Sequence, residues 1–279
     1  QIIKQKGITI VHTHHRMAAF YIRLLKFVYP KLTHVYTAHN VFKDKLPLYR
    51  FALKNAKSVA VGEAVNNNLK EDVGITDSKV IYNGVILKET DNQVDDIVGY
   101  DGTKLGCIAR LSEQKGLTYL IEAMSLLTVK NIRLFIVGDG ELRNELENKV
   151  EELDLQDSVT FLGYRKDIVE CINSFDFCVL PSVFEGFGLV AIEAFMNSKT
   201  LVATDIPGLN EVVTNKNGVL VPAKDPVALA SAIDKLATDA TLRQELASQA
   251  KKDYENRFSY PMFLENYRAL YREIQGEPK

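Results

Sequence analysis

Residues 177–195 read F-C-V-L-P-S-V-F-E-G-F-G-L-V-A-I-E-A-F. Phe177–Leu180 is apolar throughout, as a strand is when a parallel sheet buries both of its faces. Gly186 and Gly188 mark a turn, and Leu189–Asn197 follows with helical spacing. One strand, one turn and one helix therefore stand in a row, and the same unit recurs along the chain. Strands are expected at Thr9–His12, Thr33–Thr37, Ser58–Val61 and Val80–Tyr82, then at Lys104–Ala109, Arg133–Val137, Ser158–Phe161, Phe177–Leu180, Thr200–Ala203 and Val219–Val221. Amphipathic stretches such as Leu117–Leu127, Glu141–Leu153 and Pro226–Ala237 lie between them. Strands alternating with helices predict an α/β protein with parallel sheets covered on both faces.

The chain of 279 residues fits two domains, at about 150 residues each. With 46% hydrophobic residues, 25% charged residues and a net charge of −2, it is too apolar for a disordered chain and too balanced for bulk-charge binding of nucleic acid. The longest apolar stretch, Met17–Tyr29, is interrupted by Arg23 and Lys26, so no span of about 20 apolar residues exists. Cys107, Cys171 and Cys178 form no C-x-x-C pair, which predicts a reducing, cytoplasmic setting. The acidic, aperiodic stretch 87–103 reads as a linker. It separates a domain at 1–86 from one at 104–257, and 258–279 is expected to be a closing helix that packs back towards the first domain.

Chemistry concentrates at two strand-to-helix turns and one run of histidines. At the first turn Gly188 opens a helix whose free N–H groups suit an anion. Glu185 and Glu193, eight residues apart, suit neutral hydroxyls instead, because an ionised carboxylate accepts two of them. The same spacing also fits a plain glycine turn with Glu185 near a helix start. At the second, Ala109–Gly116 (A-R-L-S-E-Q-K-G) sets Arg110 and Lys115 where open α/β sheets bind ligands, as a diphosphate clamp or as solvated cations. All five histidines (His12, His14, His15, His34 and His39) fall in the first 39 residues. H-x-H on a strand also fits a metal site, and with it a metallohydrolase reading, but no downstream histidine or acidic cluster joins it. Val137–Arg143 supplies only G-x-G, at Gly138–Gly140, with Arg143 where a dinucleotide fingerprint needs its last glycine.

Taken together, these segments resemble the GT-B glycosyltransferases of the family-4 type, which are retaining and metal-independent. The match lies in E-x7-E at Glu185–Glu193, A-R-L-x-x-x-K-G at 109–116, Val137–Gly140, Phe161-Leu162-Gly163, Leu180-Pro181-Ser182, Pro207–Glu211 and Ile81–Val85, in family order. The resemblance implies two Rossmann-like domains and transfer of a hexosyl unit from a nucleotide-diphosphate sugar to a glycan or lipid-linked acceptor, with no cofactor and no metal. It makes Glu185, Arg110, Lys115 and His39 the catalytic set. Glu193 would take the ribose, Glu185 the donor sugar, backbone at Phe187, Gly188 and Leu189 the diphosphate, and Gly163-Tyr164-Arg165 the base. Family members open with a strand and a glycine-rich loop that has no counterpart here, so about seventy residues, two βαβ units, are expected to be missing from the first domain. The alternative function is then a catalytically incompetent nucleotide-sugar-binding remnant or partner subunit. Residues 16–32 carry two readings: a basic, apolar helix resting on the inner face of a membrane, or one packed on the first-domain sheet.

Overall fold

The computed structural model describes residues 2–86 and 90–276. In the first part of the chain the elements are α1 (Ile2–Gln5), β1 (Ile10–Thr13), α2 (Arg16–Leu25), β2 (Thr33–Ala38), α3 (Leu46–Leu53), β3 (Lys57–Ala60), α4 (Glu63–Asn67) and β4 (Ser78–Val80). There follow α5 (Asp95–Val98), β5 (Thr103–Ile108), α6 (Leu117–Ser125), β6 (Ile132–Val137), α7 (Arg143–Glu152), β7 (Val159–Gly163), α8 (Ile168–Ser174) and β8 (Phe177–Leu180). The last elements are α9 (Leu189–Met196), β9 (Leu201–Thr204), β10 (Val219–Val221), α10 (Pro226–Thr238), α11 (Ala240–Asp253) and α12 (Tyr260–Gln275). They divide into two compact units, residues 1–83 with 263–279, and residues 84–262.

In the first unit four parallel strands run in sequence order, β1-β2-β3-β4. Alternation along a strand sends successive side chains to opposite faces. Val35 and Val59 accordingly join Ile81 and the α12 residues Tyr267 and Leu270 in one apolar cluster. From the same strand Tyr36 points the other way, where its hydroxyl accepts a 3.0 Å hydrogen bond from Tyr49 of α3.

The second unit holds a six-stranded parallel sheet in the order β10-β9-β8-β5-β6-β7. Its central strands are buried on both sides, as their unbroken apolar runs require. Leu134, Ile136, Phe177 and Val179 join the main core, while on the opposite face Phe135 stacks on Phe175 at 6.4 Å between ring centres. Cys107 on β5 and Cys178 on the adjacent β8 are both buried, as is Cys171 on α8. Burial pushes the thiols of Cys107 and Cys178 up to about 12 and that of Cys171 to about 11.

The expected linker at 87–103 differs from what the structure shows. Residues 87–89 lie outside the described residues, but Val94 and Ile97 are buried, α5 spans Asp95–Val98 and Thr103 opens β5. Among the aspartates the two apolar residues stand three apart, one helical turn. The Val94 N–H donates to Ser174 Oγ at the end of α8 (2.8 Å), fixing the segment to the second unit. No helix among the described residues is long and apolar enough to cross a membrane.

Candidate functional site

In the second sheet the strand order reverses between β5 and β8, and a ligand crevice is expected beyond the carboxyl ends of the strands at such a point. The two loops that emerge there carry the two motifs, and they are bound to one another. The carbonyl of Gln114 accepts from the Val183 N–H (2.9 Å), and Gln114 Nε2 returns a bond to the Phe184 carbonyl (3.1 Å). Gly116 has φ +64°, and a side chain there would stand 2.2 Å from the Pro181 carbonyl oxygen, so only glycine allows this approach.

The result is a pair that no single motif contains. Lys115 Nζ donates to Glu185 Oε2 at 2.5 Å, with side chains 23% and 15% exposed, and Ser182 Oγ donates to the same oxygen at 3.3 Å. Gly188, with φ +75°, turns the chain into α9. The first N–H groups of that helix have no intrahelical acceptor. Phe187 is buried and sets its ring edge-on to Phe258 at 6.0 Å, which anchors the turn, while the Leu189 side chain is exposed. Glu193 lies one turn into α9, half-buried, and has no ion-pair partner among the described residues. Burial alone raises its carboxyl above the usual range.

Arg110 stands apart from Lys115. It pairs with Glu141 at 3.1 Å in the open, the two side chains 74% and 55% exposed. At the end of β7, Arg165 grips Asp167 with both arms of its guanidinium and holds that carboxyl below its usual range. Gly163 tethers the neighbouring loop by accepting from the Gly138 N–H (2.8 Å). Tyr164, between them, is 73% exposed.

The histidines belong to the first unit. His12 is fully engaged, Nδ1 with the Tyr271 hydroxyl (2.7 Å) and Nε2 with Thr37 Oγ1 (2.8 Å). Burial, then the neighbouring His14, pulls its pKa down to about 4. His34 bonds Thr13 (2.8 Å) and burial lowers it to about 4 as well. His15 caps α2 by accepting from the Met17 N–H. His14 Nδ1 and His39 Nε2 share a 3.0 Å hydrogen bond, and burial holds His39 below the ordinary histidine value. Both ring nitrogens of His12 are thus committed to hydroxyls, and among the described residues no group of three or more His, Cys, Asp or Glu is placed to hold a metal.

Sequence reasoning missed Glu141, Ser182 and Gln114 as partners of the motif residues. It also missed Tyr267 and Tyr271, whose link to His12 spans more than two hundred residues and leaves no local signal.

Comparison with known proteins places these features in context. Residues 98–253 match the family described as glycosyl transferases group 1, and residues 1–89 match Glycosyltransferase Family 4. An uncharacterized glycosyltransferase of Methanocaldococcus jannaschii is 32% identical over 216 residues, 70% of this chain and 55% of that protein. The alpha-D-kanosaminyltransferase of Streptomyces kanamyceticus is 31% identical over 172 residues, 60% of this chain and 45% of its own. The chain spans about half the length of these relatives. Among solved structures, Anabaena HepE in complex with UDP superimposes with a TM-score of 0.88 at 23% identity, over 97% of this chain and 80% of that one, a likeness of fold.

Proposed function

This chain belongs to the glycosyl transferases of group 1, and on that premise we propose that it moves a hexosyl unit from a nucleotide-diphosphate sugar to a glycan or lipid-linked acceptor, with retention and without a metal ion. The observation that carries the proposal is the Lys115–Glu185 pair at the strand-order reversal, beside the free N–H groups that open α9. The diphosphate sits against the backbone of Phe187, Gly188 and Leu189, where N–H groups and the positive end of the helix face it. Lys115 contributes a point charge and Arg110, released from its exposed partner Glu141, a planar fork. These cations provide the positive charge that a metal supplies elsewhere.

Glu193 accepts the ribose hydroxyls, which offset the cost of holding a half-buried carboxylate that has no ion-pair partner among the described residues. Glu185 accepts hydroxyls of the donor sugar, its carboxylate held in place by the Lys115 contact. The base lies at Gly163-Tyr164-Arg165, where the Arg165–Asp167 clamp stiffens the loop. As the bond from the anomeric carbon to the diphosphate oxygen breaks, the electron pair stays on that oxygen. Lys115, Arg110 and the α9 amides stabilise the charge that develops there. The acceptor hydroxyl then attacks the same face of the sugar and passes its proton to the departing diphosphate oxygen. His39 is kept in the catalytic set on the family resemblance alone; within the first unit its Nε2 shares a 3.0 Å hydrogen bond with His14.

The test combines calorimetric titration with UDP and a donor-turnover assay with chelator present. Binding and turnover that survive chelation support the whole reading. Binding without turnover reduces it to a nucleotide-sugar-binding chain, and absence of binding removes it.

A further inference from the structure

The net charge of −2 conceals an uneven distribution. Residues 1–62 hold eleven Lys and Arg against a single carboxylate, Asp44, so this stretch carries +10 and the rest of the chain −12. Asp44 is itself held by Arg16 at 2.9 Å, leaving the remaining cations in excess.

The same stretch presents an apolar surface. Ala19 is the only fully buried residue of α2. The helix and the turn after it expose Met17, Tyr21, Leu24 and Leu25, then Phe27 and Val28, the last two 70% and 71% exposed. Positions 17, 21 and 24 follow one face of the helix, and Val28 lies in the turn that follows it. The surface continues onto α3. Phe20 and Phe51 lie 6.0 Å apart, Arg23 spreads over the rings of Phe27 and Phe51, and Met17 and Leu48 line one small pocket with Lys45. Lys54, exposed, closes α3, and Lys31, also exposed, follows the turn after α2.

A large apolar patch rimmed by cations is uncommon on a monomer surface and matches the two components of an anionic bilayer, acyl chains below and phosphate headgroups above. We propose that the α2–α3 face of the first unit docks on an anionic phospholipid surface, with Phe27, Val28 and Leu24 entering the acyl boundary and Arg23, Lys26, Lys31 and Lys54 lying at headgroup level. Nucleic acid would match the charge but would leave the aliphatic stripe in water. The proposal is independent of the donor chemistry of the second unit.

Sedimentation of the full chain with phosphatidylcholine vesicles, with and without about one third phosphatidylglycerol, tests it directly. Binding is expected to the anionic vesicles only and to weaken with salt. It should fall about fivefold for each of Lys31→Gln and Lys54→Gln, the attraction of roughly one basic residue to an anionic leaflet. Phe27→Ser with Val28→Ser should abolish it while circular dichroism stays unchanged, since both side chains already stand in solvent. Equal binding to neutral vesicles, or none to anionic ones, overturns the proposal. So does a dimer in sedimentation velocity that the Phe27→Ser, Val28→Ser variant dissociates, or retention of polynucleotide without vesicle binding.

Discussion

In the first unit the polar groups sit on the strands and close on one another: His12 on Thr37 and Tyr271, Thr37 on Tyr267, His34 on Thr13. In the second they sit on loops beyond the sheet, and the arrangement stays open. Glu193 lacks an ion-pair partner among the described residues, Lys115 and Glu185 hold each other at a place either can leave, and Arg110 pairs with Glu141 in the open. A closed circuit spends its hydrogen bonds on stability. An open one keeps them for a ligand, and so the two units should respond to mutation in opposite ways.

The sharpest way to break this contrast is at the Lys115–Glu185 pair. Glu185→Gln and Lys115→Ala should each lower transfer by about a hundredfold to a thousandfold, the scale of losing one charge-stabilising group, with little change in melting temperature. Near-normal turnover in either variant removes the site assignment. Next in size is the pH response of the first unit. The unfolded histidine titrates near 6.5, and His12 and His34 near 4 when folded. The unfolded chain therefore binds the proton more readily, and stability is complete above about pH 6.5 and lost as pH falls towards 4. Each histidine accounts for up to about 3 kcal/mol. Denaturant titrations across that range should show the loss, and His34→Gln should flatten it. Thr37→Val, which strands His12 Nε2 and the Tyr267 hydroxyl, should cost about 1–3 kcal/mol in the same titrations while leaving UDP affinity in place. The smallest effect belongs to Glu141→Gln. Its pair with Arg110 is open to water, so the melting temperature should not move, while affinity for UDP stays equal or rises as Arg110 is freed.

The architecture was legible because periodicity is local. All ten expected strands are present within a few residues, since an apolar β-branched run needs no distant information to be recognised. The segment at 87–103 was obscured by its aspartates, which outnumber the two apolar residues that pin it. Of the site, Glu185, Lys115 and Glu193 could be picked from spacing, but their pairing could not. Lys115 meets Glu185 only because β5 and β8 are sheet neighbours, a fact of topology rather than sequence. The same holds for His12, which read as a ligand candidate until α12 brought Tyr271 to it. Averaging had its own cost: one net charge for the whole chain hid a first stretch of 62 residues at +10 and a remainder at −12.

The three buried cysteines make the second unit its own clock. With thiols held well above neutral pH, Cys107, Cys178 and Cys171 are slow to react with an alkylating reagent while the sheet is closed. Each alkylation therefore dates one opening of the sheet beneath the crevice. A nucleotide seated at the loops above should slow that clock in proportion to how tightly it binds the folded form. Timed labelling followed by mass measurement would then report ligand occupancy without any catalytic turnover.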